Sequence, residues 1–362
     1  MKQTIHRAAL ASTLLLATAG VHAADPADAP DTETRSVAAF SGINLTGPFN
    51  VIVTPEAGNT IELSGPRQRL ADIETSVSDG TLTVRQRSKQ KQGWRFVFGW
   101  SSSAQQLTVR IHAANLQRLR SAGSGDVDLR DYQGQQLTLI ADGPGDVRAS
   151  GKVDALSITA NGSGDVDLKA LRTGDLNLQM NGPGDVEAGS VARDLNLVVN
   201  GSGDLDIGDL RAGRVSASLH GPGSVALRGS AKEVRAEVSG SGDLDACSLS
   251  TEAASAVLRG PGEACLAGHI KRLDAEVHGS GDLTVRGLEA QSVRARLSGP
   301  GNMTLSGATA VLSAQVSGSG DLDARGLTTR QTDITVNGPG SAVVAVADKA
   351  DATRTHLVTY QR

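Results

Sequence analysis

Between Leu176 and Met180 apolar and polar residues alternate strictly, and the same alternation returns at Leu195, Leu197 and Val199. A second alternating run follows each glycine-rich phrase: Val166 and Leu168 after one, Leu205 and Ile207 after another. A period of two is that of a β-strand with one buried face. A further apolar residue often stands nine positions after the first glycine of the phrase, as at Leu171, Val191, Leu210, Leu249, Leu288 and Leu327. Each unit therefore reads as strand, tight turn, strand and looser corner. One such unit cannot bury its own apolar face, but stacked units can, each strand pairing in parallel with its copy in the next coil.

The glycine phrase begins at Gly123, Gly143, Gly162, Gly182, Gly201, Gly221, Gly240, Gly260, Gly279, Gly299, Gly318 and Gly338, and its spacing alternates between 20 and 19 residues. Gly-Ser-Gly alternates with Gly-Pro-Gly, so the larger unit is 39 residues long. A fixed period of this size points to a solenoid. The phrase Gly143-Pro144-Gly145-Asp146 fits a type II turn, with proline at its second position and a positive-φ glycine at its third. Gly143, Gly145, Gly162, Gly164, Gly182 and Gly184 are accordingly expected as structural turns. Twelve coils predict a rod of roughly 58 Å. The pattern continues more weakly upstream. Ile43 and Leu45 precede Gly47, Val51 and Val53 follow it, and Gly65-Pro66 is a fainter copy. Residues 37–112 are thus expected as an irregular first part of the solenoid, with strands near Thr81–Arg87 and Gln106–Ile111. Residues 113–347 are expected as its regular body, 24–36 as a flexible linker and 348–362 as a C-terminal cap or tail.

The stretch Phe40–Val53, with Gly42-Ile43-Asn44 at its start and Gly-Ser-Gly-Asp turns after it, resembles the head-GIN-domain family of bacterial exported proteins, labelled autotransporter adhesin heads. The resemblance covers about residues 37–346. It implies a right-handed parallel β-helix and an adhesin-like role, and it lends no catalytic residues. The fold class expected is all-β, a right-handed parallel β-helix with about 20 residues per coil. The chain closes on "THLVTYQR" without a run of membrane-barrel strands, so self-secretion is not expected.

Composition narrows the role. Aromatics make up only 2% of the 362 residues while glycine numbers 43, which suits a thin, regular β-structure better than an ordinary globular core. With 35 basic against 39 acidic residues, no basic surface for nucleic acid is implied. Lys2, His6 and Arg7, the apolar run Ala8–Ala19 and Val21-His22-Ala23 read as an export signal over residues 1–23. A periplasmic or secreted protein follows. Cleavage is expected after Ala23, where no cysteine follows directly to carry a lipid, and no later segment is apolar enough to cross a bilayer. Cys247 and Cys265 lie in adjacent coils and should both face outward. A diagonal placement puts their α-carbons at about 7–8 Å, the edge of disulfide reach, so a bridge is expected only if the corner relaxes.

The chemistry has several candidates. Asp126, Asp146, Asp165, Asp185 and Asp204 each follow a glycine turn; Asp128, Asp167 and Asp206 lie two residues on, facing the same way. Stacking would set these carboxylates about 5–10 Å apart, where Ca²⁺ could relieve their repulsion. The alternative, that Asp caps the turn through its short side chain, is favoured because Ser224, Glu263, Asn302 and Ser341 occupy the same position elsewhere. No other cofactor is indicated. Phosphate binding fails because strands, not helices, follow the glycines. A carbohydrate-active β-helix enzyme would need long loops to wall a cleft, and coils of 19 or 20 residues leave no room for them. His220 and His278 read as turn-flanking polar residues. Outward polar positions such as Ser157, Thr159, Asn177, Gln179, Ser216, Ser218, Ser313 and Gln315 make a flat face that either is simply solvated, the commoner case, or meets a glycan, another envelope component or a protein partner. Trp94, Phe96, Phe98 and Trp100 alternate within "GWRFVFGW" and would share one strand face. They are expected to cap the open end of the solenoid, or else to form a binding patch. The function expected is that of an exported, non-enzymatic rod, a scaffold or a binder; the oligomeric state is left open.

Overall fold

The computed structural model describes residues 30–87, 107–347 and 355–361. The expected export signal and the aromatic segment Trp94, Phe96, Phe98 and Trp100 lie outside the described residues.

The protein is a β-solenoid of about 11 turns. Its N-terminal part comprises β1 (Pro30–Ser36), β2 (Gly42–Thr46), β3 (Asn50–Thr54), β4 (Thr60–Pro66), the single-turn α1 (Arg67–Leu70), β5 (Ile73–Ser78), β6 (Thr81–Gln86), β7 (Thr108–His112) and β8 (Arg118–Ser121). The coils that follow are β9 (Val127–Ala141), β10 (Val147–Ala160), β11 (Val166–Met180), β12 (Val186–Val191) with β13 (Asp194–Val199), β14 (Leu205–Leu219), β15 (Val225–Val238), β16 (Leu244–Leu258), β17 (Ala264–Val277), β18 (Leu283–Ser298), β19 (Met303–Ser317) and β20 (Leu322–Asn337). β21 (Ala342–Ala347) and β22 (Thr355–Tyr360) close the chain.

Every coil from β9 to β21 pairs in parallel with the next. The alternating residues become continuous core columns. Leu137, Leu156, Leu176, Leu195, Val215 and Val234 stack one above the next, and each is at most 2% exposed. Parallel in-register stacking sets each coil's apolar face against its neighbours', which is how residues of ordinary strand pattern build a core with so few aromatics. The one tyrosine in the core, Tyr132, fills the first corner, where its single hydroxyl proton is shared between the carbonyls of Leu116 and Gln136 at 2.7 and 2.9 Å.

The coil differs from the expected strand–turn–strand–corner unit. From β9 to β20, in all but one turn, the two strands are a single strand of 14–16 residues that bends at the corner, where the ladder slips register. The glycine phrase is the only full break. It is not a type II turn. None of Gly143, Gly145, Gly162, Gly164, Gly182 and Gly184 has the positive φ that such a turn requires. The phrase bonds to the preceding coil instead: Asp142 and Gly143 both donate N–H to the Ser121 carbonyl, and Gly145 donates to that of Gly123. A Cβ added at Gly145 would sit on the carbonyl oxygen of Gly125, and one at Gly184 on that of Gly164. The glycines are there because backbone lies against backbone, not because of φ. Only in the last three phrases is φ positive, at Gly299, Gly318 and Gly338, and there on the first glycine.

Positive φ recurs at the corners instead, at Asp131 and Gly287 in two of the 20-residue coils and at Gly151, Gly229, Gly268 and Gly307 in the 19-residue ones. The 19-residue coils turn the corner with one residue fewer, while their 20-residue neighbours carry the extra residue as a bulge. The 39-residue period is therefore an alternation of two corner types.

The N-terminal part joins the body through β2, which pairs in parallel with β6 and β8, and β3, which pairs in parallel with β7 and β9. Gly42-Ile43-Asn44 thus lies on a strand bonded along both edges, with Ile43 and Leu45 in the core. The outer strands are antiparallel, β4 to β7, β1 to β4 and β5 to β6. Gly65-Pro66 is correspondingly no coil turn; it ends β4 opposite Asp31 and Pro30. Residues 30–36, expected within a linker, are an edge strand. Arg35 on β1 reaches the Ile73 carbonyl at 2.7 Å, tying the edge to β5. At the other end β22 runs antiparallel to β21.

Cys247 and Cys265 form a disulfide with α-carbons 5.2 Å apart. The diagonal separation expected from a regular ladder does not apply, because β16 slips against β17 between Ala246 and Ser250 and again before Ala253. The corner relaxation on which a bridge depended is that double slip.

Two outcomes follow. Gly145→Ala and Gly184→Ala should each lower stability by about 1–3 kcal/mol in thermal melts, as overpacking does. Gly145→Asn should do no better than Ala; recovery with Asn, which tolerates positive φ, would restore the turn explanation. Reducing the 18-residue disulfide loop should cost about 3 kcal/mol on chain-entropy grounds. A non-reduced mass equal to that of the dithiol would show the bridge to be absent.

Candidate binding face

The arm of each coil that leads into the glycine phrase presents three outward columns. The first runs Gln136, Ala155, Asp175, Asp194, Arg214, and the second Thr138, Ser157, Asn177, Asn196, Ser216. The third runs Ile140, Thr159, Gln179, Val198, Ser218. Alternation points these side chains outward because their neighbours are core. Over these coils the second and third columns carry no charge. Further along, the same columns hold ions paired across coils: Glu276 with Arg296, and Glu237 with Arg259 in the column beside it.

A groove of about 500 Å³ crosses five coils here, lined by the first and second columns, with Leu137, Leu156, Leu176 and Leu195 at its floor. It lies beside the one turn that departs from the template. Between β12 and β13 the chain breaks at Ala192 and Arg193, and Ser190 stands where other short coils carry the corner glycine. Arg193 folds over this break, donating to both Asp175 oxygens at 3.0 and 2.8 Å and to the Asp154 carbonyl at 2.6 Å. Its hydrogen bond holds the Asp175 carboxyl below the usual carboxylate range. Asp175 also accepts the N–H of Asp194, and Asp194 that of Arg214. Asn196 donates its amide to Asn177 at 2.9 Å. The groove is thus walled by the paired amides of Asn177 and Asn196 and by the hydroxyls of Thr138, Ser157 and Ser216, and its two acids are engaged in structure. Asn177, Ser157 and Ser216 are legible in sequence as outward polar residues. Arg193 and Asp194 are not, although the missing corner glycine at Ser190 marks their coil.

The Asp residues that follow the phrase sit on another surface and form a ladder. Oδ1 of Asp126 accepts the N–H of Asp146, Asp146 that of Asp165, Asp165 that of Asp185, Asp185 that of Asp204, and Asp204 that of Ser224, at 2.8–3.2 Å. The capping is real but reaches the next coil rather than the residue's own turn. Asn302 and Glu263 keep their places as donors in the same ladder. Asp128, Asp167 and Asp206 form ion pairs instead: Asp128 with Arg130 at 2.7 Å, Asp167 with Arg148 at 3.5 Å, Asp206 with Arg228 at 2.7 Å. Arg148 stands in their own column between Asp128 and Asp167. Among the described residues, no three acids of these rows bring their oxygens within 4.8 Å of one another. In front of the phrase runs a third ladder, in which Asn161 donates to Asp142, Asn181 to Asn161 and Asn200 to Asn181 at 2.7–2.8 Å.

Because the ladder uses one acceptor per step, Asp165→Asn should leave thermal stability nearly unchanged. Asp165→Ala should cost about 0.5–1.5 kcal/mol. Chelator should not shift the melting temperature of the wild type. A rise of several degrees with millimolar Ca²⁺, lost in Asp126/Asp165→Asn, would instead make the row a calcium stripe.

Among solved structures the chain is similar to a putative adhesin from Parabacteroides distasonis (16% identity, covering 85% of this chain and 98% of that one, TM-score 0.39). It is also similar to a putative adhesin from Bacteroides fragilis (17% identity, 87% and 96%, TM-score 0.26) and to a putative lipid binding protein from P. distasonis (16% identity, 86% and 95%, TM-score 0.34). No curated protein matches it. Among the described residues no helix is long and apolar enough to cross a membrane. The family model described as "Putative auto-transporter adhesin, head GIN domain" matches residues 39–193, 189–287 and 267–356, and with nearly the whole solenoid inside those matches the chain belongs to that family.

Proposed function

We propose that the protein is an exported, non-enzymatic binding rod whose face over β9–β14, uncharged in two of its three columns, holds polysaccharide at a cell surface. The observation that carries this reading is the groove of about 500 Å³ lined by the column through Ser157, Asn177, Asn196 and Ser216, beside the column that holds Asp175 and Asp194. Amides and hydroxyls repeating every coil, about 4.8 Å apart, offer both donors and acceptors to a polymer of hydroxyls lying along the rod. Such a ligand needs no counter-charge, and the second and third columns supply none. The family's adhesin description points the same way. The engagement of Asp175 and Asp194 with backbone N–H groups and Arg193 leaves the groove without a free acid–base pair, which supports binding rather than hydrolysis. Export through residues 1–23 is part of this reading.

The test is a glycan array probed with the labelled full chain. Asn177→Ala/Asn196→Ala should lose at least about tenfold in affinity for the glycans that bind, the scale of one or two lost hydrogen bonds. Trp94→Ala/Trp100→Ala should retain binding. The opposite pattern would move the site to the aromatic segment, and reducing sugars released from a bound glycan would make the protein an enzyme.

A further inference from the structure

The disulfide occupies a position where other coils place a cation. In four coils an outward Asp is followed two residues later by a partner position: Asp128 by Arg130, Asp167 by Lys169, Asp323 by Arg325, and Asp245 by Cys247. In the first three the cation lies 2.7–3.9 Å from its acid. Asp245 has no basic side chain within ion-pair distance among the described residues, since Arg228 in the preceding coil is taken by Asp206. Its register partner on the next coil is Cys265. One oxygen and two sulfurs, those of Asp245, Cys247 and Cys265, therefore lie within 4.8 Å of one another. The carboxylate is already oriented, because its Oδ1 accepts the Cys247 N–H at 3.0 Å. Asp245 is exposed and both cysteines are half-buried, so reductant and ion have access.

We infer that reduction of the bridge converts these three residues into a site for a soft divalent cation such as Zn²⁺. A dithiol supplies two electrons and two protons and is itself oxidised to a disulfide; Cys247 and Cys265 become thiols. The arriving cation displaces both thiol protons, and the two thiolates and the Asp245 carboxylate become its ligands. Two thiolates at Zn–S distances of about 2.3 Å stand about 3.8 Å apart in a tetrahedron. Each sulfur need move only about 1 Å from its bonded position, within a side-chain adjustment, and the 5.2 Å α-carbon separation can stay as it is. Thiolate ligands select zinc over calcium or magnesium. Three protein ligands leave the fourth position to water. The N–H of Cys247 plays the outer part that holds a ligating carboxylate in place. The site is separate from the groove over β9–β14 and does not depend on the polysaccharide reading.

The full chain would be reduced, desalted under inert gas and incubated with zinc. Bound metal would be counted per chain, and Co²⁺ would be used in parallel for its thiolate charge-transfer band. One zinc per reduced chain is expected and none per oxidised chain, with release when a disulfide-forming oxidant is added. Cys247→Ser should abolish the charge-transfer band. Asp245→Asn should weaken zinc binding at least about tenfold, because outer-shell changes alone cost that much. Far-UV circular dichroism of the reduced chain and of each variant establishes that the solenoid persists; should Cys247→Ser unfold, the band in the reduced wild type still reports thiolate ligation. Equal zinc in the oxidised chain, no zinc in the folded reduced chain, or an Asp245→Asn variant that binds like wild type would each overturn the assignment.

Discussion

Everything in this rod depends on how closely one coil lies on the next at the glycine phrase. The phrase has no hydrogen bonds of its own to hold its shape. Its N–H groups donate to the coil before it, and any Cβ at its first or third position would occupy the place of a neighbouring carbonyl oxygen. Close approach at this edge keeps the parallel ladders on both arms in register. A register error of one residue would turn every core column outward. The middle residue of the phrase is exposed, which is why serine and proline alternate there freely.

Once coils are stacked in register, equivalent side chains stand over one another, and polar ladders arise as a consequence. Each Asp after the phrase accepts an N–H from the coil above, and Asn161 and Asn181 before it accept a side-chain amide in the same way. A row of like carboxylates at this spacing would repel itself. Here one oxygen of each rung is engaged with a backbone N–H, and the parallel row two residues on is interrupted by Arg148. Departures from the repeat then become informative. The break at Ala192 and Arg193 adjoins the groove, and the double slip near Cys247 brings two sulfurs together.

The two ends of the stack are handled differently from its body. Strands exposed at a solenoid's end invite pairing with other chains. At the N-terminal end the antiparallel β1, β4 and β5 intervene, and the outermost, β1, carries Asp31, Glu33 and Arg35. At the other end β22 lies against β21, and Tyr360 reaches back to Thr332 at 2.7 Å.

By itself the sequence determined the solenoid, its period and its core. Alternation at Leu176–Met180 and glycine spacing are local, repeated signals, and twelve copies leave one consistent way to bury them. The outward direction of Asn177, Ser157 and Asp165 followed from the same parity. It was silent on what depends on contacts between coils. Gly145 reads equally well as a positive-φ turn residue or as a site of close approach, because both exclude a Cβ. Asp165 reads as a cap, but whose N–H it caps is set by its neighbour 20 residues on. β1 lacks apolar alternation because an edge strand has little to bury. The Cys247–Cys265 distance, the groove and the place of Arg193 were decided only by the tertiary structure, because each rests on a local slip in register that a repeating pattern does not encode.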